Sequence, residues 1–169
     1  MSKIKNKPIF ILILLFSVFA LIAAYFIQYV LKHQPCNLCW IERIPYFSSI
    51  TVISIYLFTE KFEKPSLIIL SLIFFSATIV AFYHFGIEQG FIKESLVCDL
   101  NNESNNLSKE ALLNELKVMP VSCKNVTFKI FGLSLATLNI FITLILGVIT
   151  TKLFLTYEKN WQRQSKRIY

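Results

Sequence analysis

The sequence predicts an all-α integral membrane protein, a bundle of four transmembrane helices with a long outer loop that carries a short amphipathic helix. Of its 169 residues, 55% are hydrophobic and only 16% are charged, whereas a soluble domain averages about 25% charged residues. The charges are also segregated, so that long stretches of the chain carry none. Composition and charge pattern therefore favour a single membrane domain over residues 1–169 rather than a soluble domain with an apolar core.

Four apolar stretches are long enough, or nearly so, to cross about 30 Å of hydrocarbon at about 1.5 Å per residue of helix. They cover residues 9–31, 41–59, 66–86 and 130–155. The second stretch is the weakest candidate, because Glu42 and Arg43 lie at its start and Pro45 interrupts it. The first has the basic start of a signal peptide, but its apolar run is too long for one, and we expect it to be retained.

Basic residues cluster at both ends of the chain. Lysines stand at positions 3, 5 and 7, and the far end carries Lys152, Lys159, Arg163, Lys166 and Arg167. Basic residues that flank apolar spans set topology and bind anionic headgroups, so the net charge of +7 does not indicate nucleic-acid binding. The positive-inside rule puts both termini, the tail 156–169 and the link 60–64 in the cytoplasm. All four cysteines then face outward, on the oxidising side.

The outer loop, residues 87–129, is the only sizeable polar segment. Ser108 can cap a short helix over residues 109–117, which has Glu110 in its first turn and leucines along one side. Two interpretations of this amphipathic helix stay open: it lies flat on the membrane surface, or it packs on the bundle. Pro120 is expected to end it shortly before Cys123.

Cys36 and Cys39 form a C-x-x-C motif between the first two apolar stretches. Cysteines three residues apart lie on one helix face or across one turn, close enough for a disulfide. Pro35 favours a helix start just before Cys36, and a cysteine at a helix N-terminus has a lowered pKa because the backbone N–H groups favour the thiolate. The motif suits thiol–disulfide exchange, which needs thiolates; a static disulfide and half of a metal site are the alternatives.

Arg43 extends this motif. If a helix begins near Cys36, then Cys36, Cys39 and Arg43 form a single stripe at i, i+3 and i+7. An arginine at the hydrocarbon edge is costly and usually functional. Its guanidinium can bind the oxygen of a reducible ring and stabilise the negative charge that forms on reduction. The alternative is an arginine that reaches the membrane surface and pairs with Glu42, and a helix that begins only at Pro45 would loosen the stripe.

His84 and Glu88 lie at i and i+4 at the outer end of the third stretch. A histidine there can pass protons to a reduced ring, although a histidine at the end of a span is more often an ordinary interfacial residue.

Cys98 and Cys123 bracket most of the outer loop and are too far apart in sequence to share a small motif. A bridge between them would close the loop and stabilise it by roughly 3 kcal/mol. The functional interpretation is a disulfide exposed to the thiol of a soluble partner.

A metal site is the competing interpretation of the cysteines. His33, Cys36 and Cys39 make H-x-x-C-x-x-C, which zinc or copper can use. The second cysteine pair lacks tight ligand spacing and no cluster of methionines accompanies it, so we expect no metal ligand in the site.

The run Cys36-Asn37-Leu38-Cys39-Trp40-Ile41-Glu42-Arg43 closely resembles the C-x-x-C-x-x-E-R signature of the bacterial disulfide-bond-formation protein B (DsbB) family. The resemblance covers nearly the whole chain. It includes the four spans, the Tyr83-His84 stretch with Gly86 and Glu88, Cys98-Asp99, Pro120-Val121-Ser122-Cys123 and Phe131-Gly132-Leu133-Ser134. The C-x-x-C-x-x-E-R signature with a second outer pair is specific, and the other matches support it.

The resemblance implies an enzyme of the bacterial inner membrane that reoxidises a periplasmic thioredoxin-like dithiol oxidase (DsbA-like) and passes the electrons to a membrane quinone, either ubiquinone or menaquinone. By position, Cys98 would take the attack of the partner's cysteine, and Cys123 would pass the electrons to Cys36. Cys39 resembles the thiolate that contacts the quinone.

The resemblance also assigns Arg43 to the quinone site, together with Glu42 and His84. The role of His84 is the least direct of these, because its spacing to Cys98 does not match every member of the family. Three alternatives stay open. The first is a vitamin-K-epoxide-reductase-like oxidoreductase, although its C-x-x-C is expected late in the chain. The others are a metal-binding membrane protein and a structural membrane scaffold whose cysteines only form cross-linking disulfides.

Overall fold

The computed structural model describes residues 6–93, 123, 129–130 and 132–165. This part of the chain forms helices with one small strand pair. In chain order they are α1 (Lys7–Tyr29), α2 (Asn37–Ile41), α3 (Ile44–Thr59), α4 (Glu63–Glu88), β1 (Lys129–Ile130), β2 (Leu133–Ser134) and α5 (Leu135–Ser165). The loop helix predicted at 109–117 and Cys98 lie outside the described residues.

Three of these helices are long and apolar enough to cross a membrane: α1, α4 and residues Leu135–Arg163 of α5. The predicted helical character is thus confirmed, and three of the four predicted spans fall on these helices. The fourth, over 41–59, stays a prediction, because α3 has only 16 residues.

The predicted second span is divided by a break at Glu42 and Arg43. α2 ends at Ile41, and α3 begins at Ile44 with Pro45 in its first turn. Proline is tolerated there because the first turn of a helix has no partner for its backbone N–H groups. The expected single stripe is therefore interrupted: Cys36 and Cys39 belong to the start of α2, whereas Arg43 lies in the break that follows it.

Two boundaries of the last span also differ from the prediction. The span was expected to start at 130, but β1 and β2 instead form an antiparallel strand pair there, with Lys129 opposite Ser134 and a turn at Gly132, whose φ is +81°. The helix then continues past 155 to Ser165. The segment after 155 contains no glycine or proline that would end a helix.

The helices pack in the order α1, α3, α4, α5, with the largest interface between α4 and α5. Apolar side chains that are buried between them form the core: Phe10, Ile13, Ile53, Tyr56, Leu67, Leu70, Phe74 and Leu146. The outer faces are apolar as well, and Phe58 is 90% exposed. Large apolar side chains on the outside of a bundle are expected where the surrounding medium is lipid.

Hydroxyl groups link neighbouring helices inside the bundle. The pairs are Ser17 with Ser49 (3.0 Å), Ser71 with Thr151 (2.6 Å) and Thr78 with Thr143 (3.0 Å). Small polar residues let helix backbones approach closely and supply hydrogen bonds where water is absent.

Charged side chains join the elements at one end of the bundle. Lys7 Nζ lies 2.7 Å from Glu60 Oε1, and Lys64 Nζ lies 2.7 Å from Glu158 Oε2. The start of α1, the link between α3 and α4 and the late part of α5 therefore meet at this end. The C-x-x-C motif lies beyond the opposite end of α1.

Candidate functional site

The C-x-x-C motif forms the start of α2. Cys36 is the N-cap residue, and its Sγ accepts a hydrogen bond from the backbone N–H of Cys39 at 3.2 Å. The two sulfur atoms lie 2.7 Å apart, and both residues are free thiols in this structure. Pro35 precedes the cap, as the sequence predicted for a helix start at this point.

The two thiols of the reduced pair differ in acidity. The pKa of Cys36 is lowered to about 4, first by the hydrogen bond with the Cys39 thiol and then by the His84 ring, against the opposing effect of burial. The pKa of Cys39 is raised, because its proton is held in the bond to Cys36 and because it is buried. In the reduced pair the thiolate therefore lies on Cys36, and Cys39 keeps the proton.

A chain of buried and partly buried hydrogen bonds supports Cys36 from three other elements. His84 Nε2 on α4 lies 3.5 Å from Cys36 Sγ, and His84 Nδ1 lies 2.7 Å from Glu42 Oε1. The second oxygen of Glu42 accepts a hydrogen bond from Asn139 Nδ2 on α5 at 3.0 Å. Asn139 Oδ1 in turn accepts a hydrogen bond from the Tyr46 hydroxyl on α3 at 2.6 Å. Because an ionised carboxylate only accepts hydrogen bonds, the Nδ1 nitrogen of His84 carries the proton.

Arg43 lies on the opposite side of the break, towards α1. It is only 7% exposed, and its Nη1 donates a hydrogen bond to Gln28 Oε1 at 2.6 Å. The guanidinium carbon lies 4.9 Å from the ring centre of Tyr25 and 4.6 Å from that of Trp40. Contacts of this kind hold a cation in place. The structure thus differs from the alternative in which Arg43 reaches the surface and pairs with Glu42, whose oxygens bond His84 and Asn139.

A cavity of about 380 Å³ adjoins the site. Its apolar wall comes mainly from α1, where Ala20, Ala23 and Ala24 leave room beside larger side chains. Its polar end is formed by side chains that the sequence analysis selected, namely Cys36, Cys39, Glu42, Arg43 and His84. A flat, lipid-soluble ring with polar oxygens matches this combination of an apolar wall and convergent polar groups.

Cys123 lies beside the motif. It is 3% exposed, is disulfide-bonded, and packs in one buried cluster with Cys36, Leu38 and Ile87. Since Cys98 lies outside the described residues, the expected pairing of Cys98 with Cys123 stays a prediction.

The possible metal ligands differ from the set that the sequence suggested. The sulfur atoms of Cys36 and Cys39 and a ring nitrogen of His84 lie within 4.8 Å of one another. His84 thus takes the place expected for His33, which lines the cavity. Glu88 Oε1 lies 3.8 Å from His84 Nε2.

Known proteins resemble this chain over most of its length. The family model of disulfide bond formation protein DsbB matches residues 6–153. The chain belongs to the DsbB family. An uncharacterised protein of Rickettsia prowazekii (strain Madrid E) is 28% identical over 161 residues, which are 94% of this chain and 93% of that protein. The SPbeta prophage-derived disulfide bond formation protein B of Bacillus subtilis (strain 168) is 32% identical over 100 residues, covering 58% of this chain and 64% of that protein.

Membership of the DsbB family identifies the chain as a membrane protein of disulfide bond formation with disulfide oxidoreductase chemistry. It favours this interpretation over the vitamin-K-epoxide-reductase-like, metal-binding and scaffold alternatives.

Sequence reasoning missed three polar residues of this DsbB-family site. Gln28 orients Arg43, while Asn139 and Tyr46 extend the support of Glu42. The available signal was position: Gln28 and Asn139 are isolated amides within apolar stretches, where a polar side chain is costly and usually has a function. Their partners were unpredictable because each contact joins residues from different helices.

Proposed function

We propose that this protein is a thiol oxidase of the bacterial inner membrane that reoxidises a periplasmic thioredoxin-like dithiol oxidase (DsbA-like) and passes the electrons to a membrane quinone. Disulfide oxidoreductase chemistry follows from the family; the partner and the acceptor are the proposal. The observation that carries it is the apolar cavity that both thiols of the C-x-x-C motif and the buried Arg43 line together.

The proposed electron path starts at the outer pair. A thiolate of the partner attacks Cys98 in the Cys98–Cys123 disulfide, and the partner's second thiol then displaces Cys98 and completes the partner's own disulfide. The freed Cys123 thiolate attacks Sγ of Cys36 in the oxidised Cys36–Cys39 pair, and Cys39 leaves as a thiolate. The Cys98 thiolate then attacks Cys123, which re-forms the outer disulfide and frees Cys36, so that both electrons lie on the Cys36–Cys39 pair. The position of Cys123 in one buried cluster with Cys36 supports this transfer.

Formation of the Cys39 thiolate is consistent with the acidity of the reduced pair. The pKa of Cys39 is raised mainly by the hydrogen bond to Cys36. A covalent bond between Cys36 and Cys123 removes that hydrogen bond and the charge on Cys36. Both changes lower the pKa of Cys39 relative to the reduced pair, at the stage at which Cys39 must carry the charge.

The residues around the cavity fit a quinone. A quinone bound there supplies a two-electron acceptor soluble in the bilayer. The guanidinium of Arg43 would hold an oxygen of the ring, and Gln28 fixes its orientation. Glu42 holds His84 in the tautomer that faces the thiols, so that His84 can take or return a proton at Nε2.

The experiment that tests the function follows quinone absorbance with the purified full chain, a ubiquinone analogue and a reduced thioredoxin-like oxidase. We expect wild type to consume quinone in step with disulfide formation in the partner. Cys39→Ser should abolish quinone loss, while Thr51→Val, an exposed change on α3, should leave the rate unchanged. No quinone loss with wild type would contradict the proposal, and loss that survives Cys39→Ser would contradict the role of Cys39.

Replacement of Arg43 tests whether the polar end of the cavity binds the quinone. We expect Arg43→Ala to raise the apparent quinone KM by about tenfold or more, because a charge-assisted hydrogen bond contributes roughly 1.5–3 kcal/mol. Arg43→Lys should restore little, since an ammonium group cannot bond Gln28 and stack on Trp40 in the same way. Lys152→Ala is the control, an exposed cation on α5. An unchanged quinone KM in Arg43→Ala would show that Arg43 does not bind the quinone.

A further inference from the structure

We propose that the reduced Cys36–Cys39 pair, His84 and Glu88 form a binding site for one Zn²⁺ ion, and that zinc bound there stops the oxidase cycle. The inference rests on the proposed function only in that the pair becomes reduced during turnover.

The ligand atoms of Cys36, Cys39 and His84 lie within 4.8 Å of one another, and Glu88 approaches them from the side of His84. Tetrahedral sites have Zn–S bonds of about 2.3 Å and Zn–N or Zn–O bonds of about 2.0–2.2 Å, which place neighbouring ligand atoms roughly 3.3–3.8 Å apart. Cys36 Sγ lies 3.5 Å from His84 Nε2, and Glu88 Oε1 lies 3.8 Å from the same nitrogen. The two sulfur atoms, at 2.7 Å, need to separate by about 1 Å.

His84 is oriented in the way that metal-binding histidines are. Its Nδ1 donates to Glu42 Oε1 at 2.7 Å, which leaves the lone pair of Nε2 directed at the thiols when the ring is neutral. A carboxylate behind the ring fixes its orientation and raises the basicity of the ligating nitrogen. Asn139 holds Glu42 from the other side, so that the imidazole is fixed before any ion arrives.

Glu88 provides an independent indication that the site can take a cation. Its side chain is only 6% exposed and lines the cavity. Its Oε2 is buried without a hydrogen-bond partner among the described residues. A buried carboxylate oxygen without a partner is costly. An ion held by both cysteines and His84 would give Glu88 a partner from within the site.

Binding would depend on the redox state of the pair. Zn²⁺ displaces the two thiol protons and bonds to both sulfurs, so that no electron moves and up to two protons are released. The Cys36–Cys39 disulfide has no thiolate to offer, and the oxidised protein therefore lacks half of the ligands. While zinc is bound, neither sulfur can transfer its electrons, and the enzyme is held in the reduced state.

The experiment measures zinc affinity directly. The purified full chain in detergent is reduced without oxygen, titrated with Zn²⁺ against a chromophoric chelator, and its bound metal is counted by elemental analysis. We expect one Zn²⁺ per reduced chain and none once the pair has been oxidised. Equal binding in both redox states, or retention of Cu⁺ but not Zn²⁺, would overturn the proposal. This comparison needs no variant.

Two substitutions test the ligand set. Glu88→Gln and Glu42→Gln should each weaken zinc binding by about 10- to 100-fold, the first through a lost ligand and the second through the His84 ring. Glu60→Gln, at the other end of the bundle, should leave the affinity unchanged. Co²⁺ in the reduced wild type should show tetrahedral bands with thiolate charge transfer, and Glu88→Gln should change the bands. An unchanged zinc affinity and an unchanged Co²⁺ spectrum in Glu88→Gln would show that Glu88 is not a ligand.

The zinc and quinone measurements distinguish failure of the zinc site from failure of the proposed function. Quinone consumption without zinc binding would overturn the zinc site and leave the proposed function intact. Zinc binding by a protein that consumes no quinone would support the zinc site and contradict the proposed function. If both hold, addition of Zn²⁺ should stop quinone loss in wild type, and removal by a chelator should restore it; quinone loss undisturbed by saturating zinc would contradict the inhibitory role.

Discussion

Glu42 and Arg43 are neighbours in sequence but belong to separate groups of contacts. Glu42 bonds His84 on α4 and Asn139 on α5, whereas Arg43 bonds Gln28 on α1. The break between α2 and α3 at these two residues lets their side chains reach different walls of the cavity. One side chain therefore supports the thiol chemistry, and in the proposed function the other serves the electron acceptor.

Asn139 is the residue at which the support of the thiols can be tested without touching a thiol. Asn139→Leu leaves Glu42 Oε2 and the Tyr46 hydroxyl without their partner. A hydrogen bond to a charged group contributes about 1.5–3 kcal/mol. We expect the rate of electron transfer at saturating quinone to fall by about tenfold or more, with little change in quinone KM.

The matched control for Asn139→Leu is Phe141→Leu, an exposed position on the same helix. Steady-state kinetics with varied quinone checks the prediction. A rise in KM at an unchanged maximal rate would mean that Asn139 acts on the acceptor and not through Glu42.

Much of the site could be predicted from local sequence. Pro35, Cys36 and Cys39 specify a helix start with a thiolate at its N-cap, because capping depends on residues next to one another. The role that the resemblance gives to Cys39, as the thiolate that contacts the quinone, stays a prediction. In the reduced pair the more acidic thiol is Cys36. That preference comes partly from His84, which reaches the motif only through the packing of α4.

At the scale of the helices, close approach depends on a few small residues. Gly147 on α5 faces Phe74 and Phe75 on α4, and a Cβ atom added at Gly147 would lie 3.5 Å from the Phe75 ring and 3.6 Å from Phe74 Cβ. These are ordinary contact distances, so a single methyl group fits but a longer side chain does not. The interface between α4 and α5 is the largest in the bundle.

Gly147→Leu should therefore separate α4 from α5 and lower the free energy of unfolding by about 1–3 kcal/mol. Val148→Leu is the control, because Val148 is the next residue and is 40% exposed towards lipid. Unfolding in detergent, followed by circular dichroism, measures both variants. Equal stability of the two would contradict the proposed close contact.

The elements were predictable to different degrees. Long uncharged stretches specify α1, α4 and most of α5, because only a helix satisfies its own backbone in lipid. The end of α5 was missed because its charged, helix-favouring residues leave the membrane without ending the helix. The strand pair before α5 was missed because two-residue strands depend on a turn at Gly132 and carry no periodicity.

For the whole molecule, the proposed topology places both termini in the cytoplasm and the cysteines in the periplasm. The contacts of Lys7 with Glu60 and of Lys64 with Glu158 group the expected cytoplasmic segments at one end of the bundle. A cluster of basic residues near that end agrees with the positive-inside rule.

Labelling with a membrane-impermeant maleimide tests this topology. In a chain whose four cysteines are replaced by serine, Lys93→Cys should react in intact spheroplasts. Glu60→Cys and Lys159→Cys should react only after the membrane is permeabilised. The opposite pattern would invert the orientation and put the redox pairs in the reducing compartment.

The short length of α3 links the site to the lipid around it. A helix of 16 residues is about 24 Å long, while the hydrocarbon layer is about 30 Å thick. If α3 crosses the bilayer as predicted, its polar start comes to lie below the headgroups unless the bilayer thins beside it. Membranes with longer acyl chains would bury Arg43 more deeply, so bilayer thickness becomes a determinant of how readily a lipid-soluble acceptor meets the thiols.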